Sequence, residues 1–270
     1  MPSFNPVTAL ERGLAVLTVV NKLQSVKVAD VRAHTGLDKA TIIRMLETLI
    51  HAGYVVKNSK DSVYFPSART MELSCGFNLR ERIAETAGSI HSQFHRDVGW
   101  PSDLAIRDGD AMILVHSSNE DGILQLNRPS GFRAPMLMTC LGRVYLAYCN
   151  DAEQDRTIAS LAEIPGPDTE PARDRAKLKI LLARIRSQGY ALNDAGYSER
   201  MNSINLWALG VPVKDGNNIY AALSLILLGN SITRAAGIQK YLRPMQRVAD
   251  KLAAIFSEQG FDMAASKLYK

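Results

Sequence analysis

Few residue groups in this sequence have the types and spacing that bond-making chemistry needs. His91 and His95 stand four apart in a helical stretch, a spacing that can set two imidazoles on one metal ion. No third ligand is placed by spacing, and His116 falls in a separate strand-like segment, so an exposed helix face is the expectation and a metal is not. Cys140 opens a helical run, where a thiolate is stabilised. No histidine follows His116, so a partner base would have to be His116 or an earlier one; a packing or pocket-wall role is the better reading. Asp103, Asp108 and Asp110 suggest paired carboxylates, but a turn context accounts for them. A glycine-rich phosphate loop of the required spacing is missing. The expectation is therefore no catalytic residue, no metal and no cofactor.

What remains is chemistry aimed at a polyanion. The stretch Val28 to Pro66 reads as a short helix, a tight turn, a longer amphipathic helix closed by Gly53 and a charged hairpin. Thr35-Gly36 stops the first helix, and Asp38 stands where an N-cap belongs. Steps of about 100° per residue put Ile42, Ile43, Leu46, Leu49 and Ile50 on one arc and Ala40, Thr41, Arg44 and Thr48 on the other. Small residues flanking one arginine leave room for close approach to a groove, whereas an ordinary solvated face would carry Glu/Lys pairs. Tyr54–Lys57 and Ser62–Phe65 are expected as strands of a wing with Lys57 and Lys60 near its tip. That order predicts a winged helix-turn-helix in which Ala40, Thr41 and Arg44 enter the major groove while Lys39, Lys57 and Lys60 meet phosphates.

The bulk composition agrees. The 270 residues are 46% apolar and 22% charged, ordinary for a folded chain. Net charge is +5, and residues 1–66 hold eight Lys/Arg against five Asp/Glu, so +3 of it lies in the first quarter. Three cysteines at irregular spacing form neither a disulfide framework nor a zinc pattern. The N-terminus lacks a secretory profile and the most apolar run, Ala221–Leu228, is too short for a bilayer, so no membrane partner and a cytoplasmic location are expected.

Elsewhere the chain alternates in period. A first helix is predicted from about Val7 to Leu23, with Leu10, Leu14 and Leu17 as its buried stripe. Ser67–Phe77 and Leu79–Val98 read as a stiff helical link, with Leu79, Ile83, Ala87, Ile90 and Phe94 inward. From Gly99 strands appear: 103–107 and 111–116 around Asp108-Gly109-Asp110, then Ile123–Asn127, 189–192, Leu206–Val213 and Ile219–Leu228. Helices are expected from Thr139 to Tyr148, at Ala152–Leu161, Pro171–Gln188 and Ser231–Ser257. The fold class is α+β: a winged helix-turn-helix at 1–66, linker or dimerisation helices at 67–98 and an antiparallel-sheet domain at 99–270.

The stretch Gly36–Val55 resembles the recognition segment of the IclR-type bacterial transcriptional regulators. Pro135-Met136-Leu137-Met138-Thr139-Cys140-Leu141-Gly142-Arg143 is similar to the family's segment leading into a helix of its effector domain. Gly189-Tyr190, Leu209-Gly210-Val211-Pro212-Val213 and Ala221-Ala222-Leu223-Ser224 match its later stretches in order. The resemblance implies a GAF-like domain that binds a small carboxylate or aromatic effector, and a homodimer or dimer of dimers on a palindromic double-stranded DNA operator. RNA polymerase would be a further partner if the protein activates. By position it implies effector contacts from Met138, Cys140, Leu141, Asn193, Asn205, Trp207, Ser224 and Ile226. Ile226 stands where small-acid sensors tend to offer a second hydroxyl, and Trp207 replaces a small residue. If both line the pocket they favour a flat aromatic ligand; the other reading makes them core. Trp100-Pro101-Ser102-Asp103 and Asn193-Asp194-Ala195-Gly196-Tyr197 further resemble the branch controlling hydroxyphenylpropionate and related aromatic-acid catabolism. The competing classes are an enzyme or small-molecule-binding protein with an incidental helix-turn-helix, and a nucleoid-type DNA binder.

Overall fold

Three helices and a hairpin build the first of two units, Met1–Asn78 and Leu79–Lys270. The computed structural model describes residues 5–58, 60–74, 79–118, 131–201 and 205–261. Helices α1 (Thr8–Leu23), α2 (Val28–Thr35) and α3 (Lys39–His51) precede strands β1 (Val55–Asn58) and β2 (Val63–Pro66). Their shared core is Val16, Leu17, Val20, Val31, Ile42, Leu46, Val55 and Tyr64. Only Leu17 of the expected α1 stripe is buried; Leu10 and Leu14 are 61% and 54% exposed. At 16 residues α1 is longer than either helix it packs on, so its inward residues concentrate at Val16, Leu17 and Val20 in its later turns. The hairpin strands begin one residue later than expected, and Val26 adds a two-bond bridge to Tyr64 at 3.0 and 2.8 Å.

The expected α-helix from Ser67 is instead a 3-10 turn, Ala68–Ser74. Local bonds favour the tighter winding: Ser67 Oγ donates to Gly53 O, and Thr70 Oγ1 donates to Ser67 O at 2.7 Å. Arg69 Nη1 donates to Ala52 O at 2.8 Å while its guanidinium lies over the Tyr54 ring. The segment foreseen as one link at 67–98 is thus shared between the units, its 3-10 turn in the first and Leu79–Val98 in the second.

The second unit is one antiparallel sheet with helices on both faces. In chain order it comprises α4 (Leu79–Val98), β3 (Ser102–Asp108), β4 (Ala111–Ser118), β5 (Arg133–Pro135), α5 (Cys140–Tyr148) and α6 (Asp151–Glu163). Then come α7 (Arg175–Gln188), β6 (Ala191–Leu192), α8 (Ala195–Met201), β7 (Leu206–Asp215), β8 (Asn218–Leu228) and α9 (Arg234–Glu258). The strand order is β5-β4-β3-β8-β7-β6. The strand foreseen at Ile123–Asn127 lies outside the described residues. Helix α7 begins at Arg175, later than the expected Pro171, because Asp174 caps it by accepting from the Lys177 amide at 3.0 Å.

Two cores follow from the period of two along each strand. Leu209, Val211 and Val213 of β7 join Leu223, Leu225 and Leu227 of β8 against α4 and α9. Ala208, Ala222 and Ile226 face the other way, toward α5 and its neighbours. Helix α4 buries Ile83, Ala87 and Phe94 as the pattern requires. It also buries His91 and His95, which corrects the expectation of an exposed histidine face. His91 Nδ1 lies 2.7 Å from His116 Nδ1, one donating and the other accepting, and Ser102 Oγ bonds His91 Nε2 at 2.8 Å. His95 Nδ1 meets Trp100 O at 3.0 Å. A bulge in the β3–β4 pairing between Leu104 and Ala105 puts His116 opposite Leu104 and so on the α4 side.

Burial, with help from His116 and His95, lowers the His91 pKa to about 3. The unfolded chain takes up this proton near pH 6.5 and the folded chain only near pH 3. The contribution is therefore complete above pH 6.5 and is lost as pH falls toward 3, at up to about 1.4 kcal/mol per pH unit. Urea unfolding at pH 7.5 and pH 5 should show this slope, and His91→Gln should flatten it. Equal slopes in the two proteins would contradict the assignment.

Candidate functional site

The recognition surface begins with a cap. Gly36 adopts φ +68°, ends α2 and turns the chain, and Asp38 then accepts from the Thr41 amide at 2.9 Å and the Thr41 hydroxyl at 2.7 Å. Those two bonds, the hydroxyl's first, hold the Asp38 carboxyl below its ordinary pKa. Ile42 and Leu46 face the core while Lys39, Ala40, Arg44 and Thr48 are exposed and Thr41 is half-buried. The Thr41 hydroxyl is engaged by the cap, which leaves its methyl as the outward chemistry. On the wing, Lys57 and Lys60 are both exposed, and Lys57 Nζ sits 5.6 Å from the centre of the Tyr64 ring. Sequence spacing thus brings Ala40, Arg44 and Lys39 to one open helix face.

The second locus is the start of α5. Thr139 caps it, accepting from the Gly142 amide at 3.2 Å, and Asn193 Oδ1 accepts from the Cys140 amide at 2.7 Å. Arg143 ties three segments together: Nε donates to Leu137 O at 2.7 Å, Nη1 to Leu192 O at 3.1 Å and Nη2 to Asp194 Oδ2 at 2.9 Å. Asp194 also accepts from the Tyr197 amide, and its amide donates to Met138 O at 2.7 Å. Burial would raise the Asp194 pKa, but the Tyr197 amide and the Arg143 guanidinium outweigh it and lower the value.

Close approach is built in by two glycines. A Cβ on Gly142 would lie 2.1 Å from Met136 O, and one on Gly210 would lie 2.9 Å from Cys140 Cβ. Cys140 therefore sits directly on β7, next to the strand carrying Ser224. Ser224 is 2% exposed and its hydroxyl has no hydrogen-bond partner; among the described residues Thr157 is the other such case. A buried hydroxyl left in this state costs about 1–3 kcal/mol unless water or a ligand completes it.

Of the foreseen effector residues, Met138, Cys140, Leu141, Asn193, Ser224 and Ile226 come to this face. Trp207 does not. It belongs to the opposite layer, where its Nε1 donates to Ile232 O at 3.1 Å and its ring would meet a Cβ on Gly237 at 2.5 Å. Asn205 is also misplaced: exposed before β7 begins, it accepts from the Gly229 amide at 2.7 Å and donates to Asn230 Oδ1 at 3.3 Å. The reason is parity, since positions 205 and 207 fall on the α9 side whenever Ala208 faces α5.

The turn context expected for Asp103 is corrected as well. Asp108 and Asp110 do flank the turn, where Arg133 pairs with them at 2.7 and 2.5 Å. Asp103 lies inside β3, 1% exposed, accepting from Ser117 Oγ at 2.7 Å. Asp103 directly precedes the apolar run Leu104-Ala105-Ile106, five residues before the glycine turn, and that was the available signal.

The chain carries a winged helix, an architecture that docks on DNA, and in a separate unit an antiparallel sheet with a buried hydroxyl that has no hydrogen-bond partner. Two family descriptions match, "Bacterial transcriptional regulator IclR C-terminal" over residues 79–254 and "IclR helix-turn-helix domain" over residues 9–59. The chain belongs to the IclR family of bacterial transcriptional regulators, and its members are regulators and not enzymes. It is similar to the transcriptional regulator XynR of Escherichia coli, with 28% identity over 85% of this chain and 89% of that one. It is also similar to the Pca regulon regulatory protein of Pseudomonas putida, with 23% identity over 87% and 79%. Among solved structures, an IclR-family putative regulator from Rhodococcus sp. shares the fold at TM-score 0.67 and 20% identity, covering 94% of this chain and 96% of that one. Among the described residues no helix is long and apolar enough to cross a membrane.

The approach of α5 to the sheet should tolerate no added methyl. Gly142→Ala meets backbone, which cannot swing aside, and should cost about 3 kcal/mol or more by urea denaturation; Gly210→Ala should cost somewhat less. Wild-type stability in Gly142→Ala would contradict this packing.

Proposed function

We propose that the protein is a regulator whose operator occupancy is set by a small aromatic carboxylate bound on the sheet beside the start of α5. The observation that carries the reading is the buried Ser224 hydroxyl without a partner, under the helix start that bears Cys140 and Leu141. Cys140, the first residue of α5, packs against Gly210 of β7, so the helix end whose dipole favours an anion borders this face, with its Cys140 and Gly142 amides capped by Asn193 and Thr139. Ile226, Leu206 and Ala208 supply an apolar wall from the same core. The aromatic preference now rests on that wall, since the Trp207 indole lies in the other layer.

At the other unit, Arg44 reads a guanine edge, Ala40 and the Thr41 methyl make apolar contact, and Lys39, Lys57 and Lys60 neutralise phosphates. The protein acts as a homodimer or dimer of dimers on a palindromic operator in the cytoplasm, with RNA polymerase as partner where the outcome is activation. Effector binding biases the equilibrium between two dimer states, which it can do only by binding one of them better.

Sites selected from random DNA supply the operator for two measurements. Arg44→Ala should weaken the selected site by roughly 1–3 kcal/mol and relax base preference at one position per half-site; a footprint with unchanged preference would remove Arg44 from the reading. In thermal melts, at least one of a panel of aromatic acids should raise the midpoint of the wild type, by about 2.7 kcal/mol of stabilisation at a hundredfold excess over its Kd. A panel that moves neither the midpoint nor operator binding would overturn the effector assignment.

A further inference from the structure

Helix α7 buries Leu178, Leu182 and Ile185 in the core it shares with α5 and turns its opposite face outward. Along the centre of that outer face run Ala176, Ile180, Ala183 and Ser187, spaced four, three and four residues apart. This is the seam spacing of two helices packed side by side. Ile180 is 72% exposed, the most exposed large hydrophobic side chain among the described residues. Lys179 and Arg186 flank the seam on one side, Lys177 and Arg184 on the other. The helix has no acidic residue, so the i,i+4 Glu/Lys pairs of an ordinary solvated face are missing. Arg186 is tied back to Ala147 O and Asp151, whereas Lys177, Lys179 and Arg184 have no ion-pair partner among the described residues. The charge is kept at a cost. Lys177 lies in the first turn, where the helix dipole disfavours a cation, and Arg175 repels Lys179 one turn on.

We infer that the outer face of α7 docks an acidic amphipathic helix from another protein. Ile180 enters the partner's seam, and Ala176 and Ala183 leave room on either side for the partner's larger apolar side chains. Carboxylates on the partner's flanks then meet Lys177, Lys179 and Arg184. The Ser187 hydroxyl already donates to Arg184 O at 2.9 Å, so it enters such a contact without an unmet bond. A second copy of this helix is a poor occupant, because in either direction every flanking position would set cation against cation. An anionic membrane asks for a broad apolar face, and Ile180 is the one large apolar side chain on this seam. Phosphates of a nucleic acid would face that apolar ridge between the two rows of cations.

The test uses a fluorescent three-heptad peptide with Leu along its seam and Glu at every flanking position, whose own charges oppose pairing. A control peptide carries Lys at the flanks. Titrated with the full chain and read by anisotropy, the acidic peptide should bind about tenfold or more tighter than the basic one. Ile180→Asp should weaken the acidic peptide about tenfold. The combined Lys177→Glu, Lys179→Glu and Arg184→Glu variant should narrow the preference between the peptides to about threefold or less. These side chains are exposed, and circular dichroism should show both variants folded. Should the combined variant fail to fold, Ile180→Asp carries the test alone. Equal binding of the two peptides by the wild type, or an acidic-peptide affinity unchanged in every folded variant, overturns the proposal. So does a loss in the variants confined to phosphatidylglycerol vesicles, to non-specific duplex DNA, or to self-association followed by sedimentation.

Discussion

Strand β8 is hydrogen-bonded to β3 on one edge and β7 on the other, with a helical layer on each face. Every residue along it is thereby committed to one of two cores, and a shift of one position would exchange them all. Its composition reflects that confinement: Tyr220 to Leu227 are all buried and all apolar except Ser224. The one polar break sits on the α5 side, and the registers of β7 and β3 place Gly210 and Asp103 beside it. That neighbourhood is a consequence of the ladder, not of any local motif.

The two faces then diverge in what they do. On the α4/α9 side these polar groups all have partners: His91 with His116 and Ser102, Trp100 Nε1 with the Tyr241 hydroxyl at 3.0 Å, and Trp207 with Ile232. On the α5 side Arg143, Asn193 and Asp194 fix the helix start through backbone bonds, while the Ser224 hydroxyl beneath is left unsatisfied. Such asymmetry suits a sheet with one structural face and one that receives a ligand. A second polar network, beside α6, ties helix to strand. There Glu153 takes Arg107 at 2.9 Å and the Tyr145 hydroxyl at 2.8 Å, and burial beside it pushes the Cys149 thiol up to about 12.

Local chemistry was what the sequence could display. The stop at Gly36, the cap at Asp38 and the alternation through β7 and β8 are short-range signals, and the elements they mark stand where those signals lie. Misreadings arose where a residue's partner is distant in sequence. Whether Leu10 and Leu14 are buried depends on how far α2, α3 and β2 reach along α1. Whether Trp207 lines the ligand face depends on the parity that β7 inherits from β8, and family position alone does not carry that parity. The 3-10 turn after Ser67 depends on Gly53 and Ala52, fourteen and seventeen residues from the side chains they accept. Asp103 was hidden by its likeness to the two turn aspartates that follow it.

If ligand and operator bias the same two-state equilibrium, the coupling between them must be reciprocal. The direct test is the affinity of the chain for whichever acid raises its melting midpoint, measured with and without saturating selected operator DNA. The account predicts a change by the same factor with which the acid alters operator affinity, on the order of 5- to 150-fold. An affinity for the acid that is identical with and without the operator would contradict it.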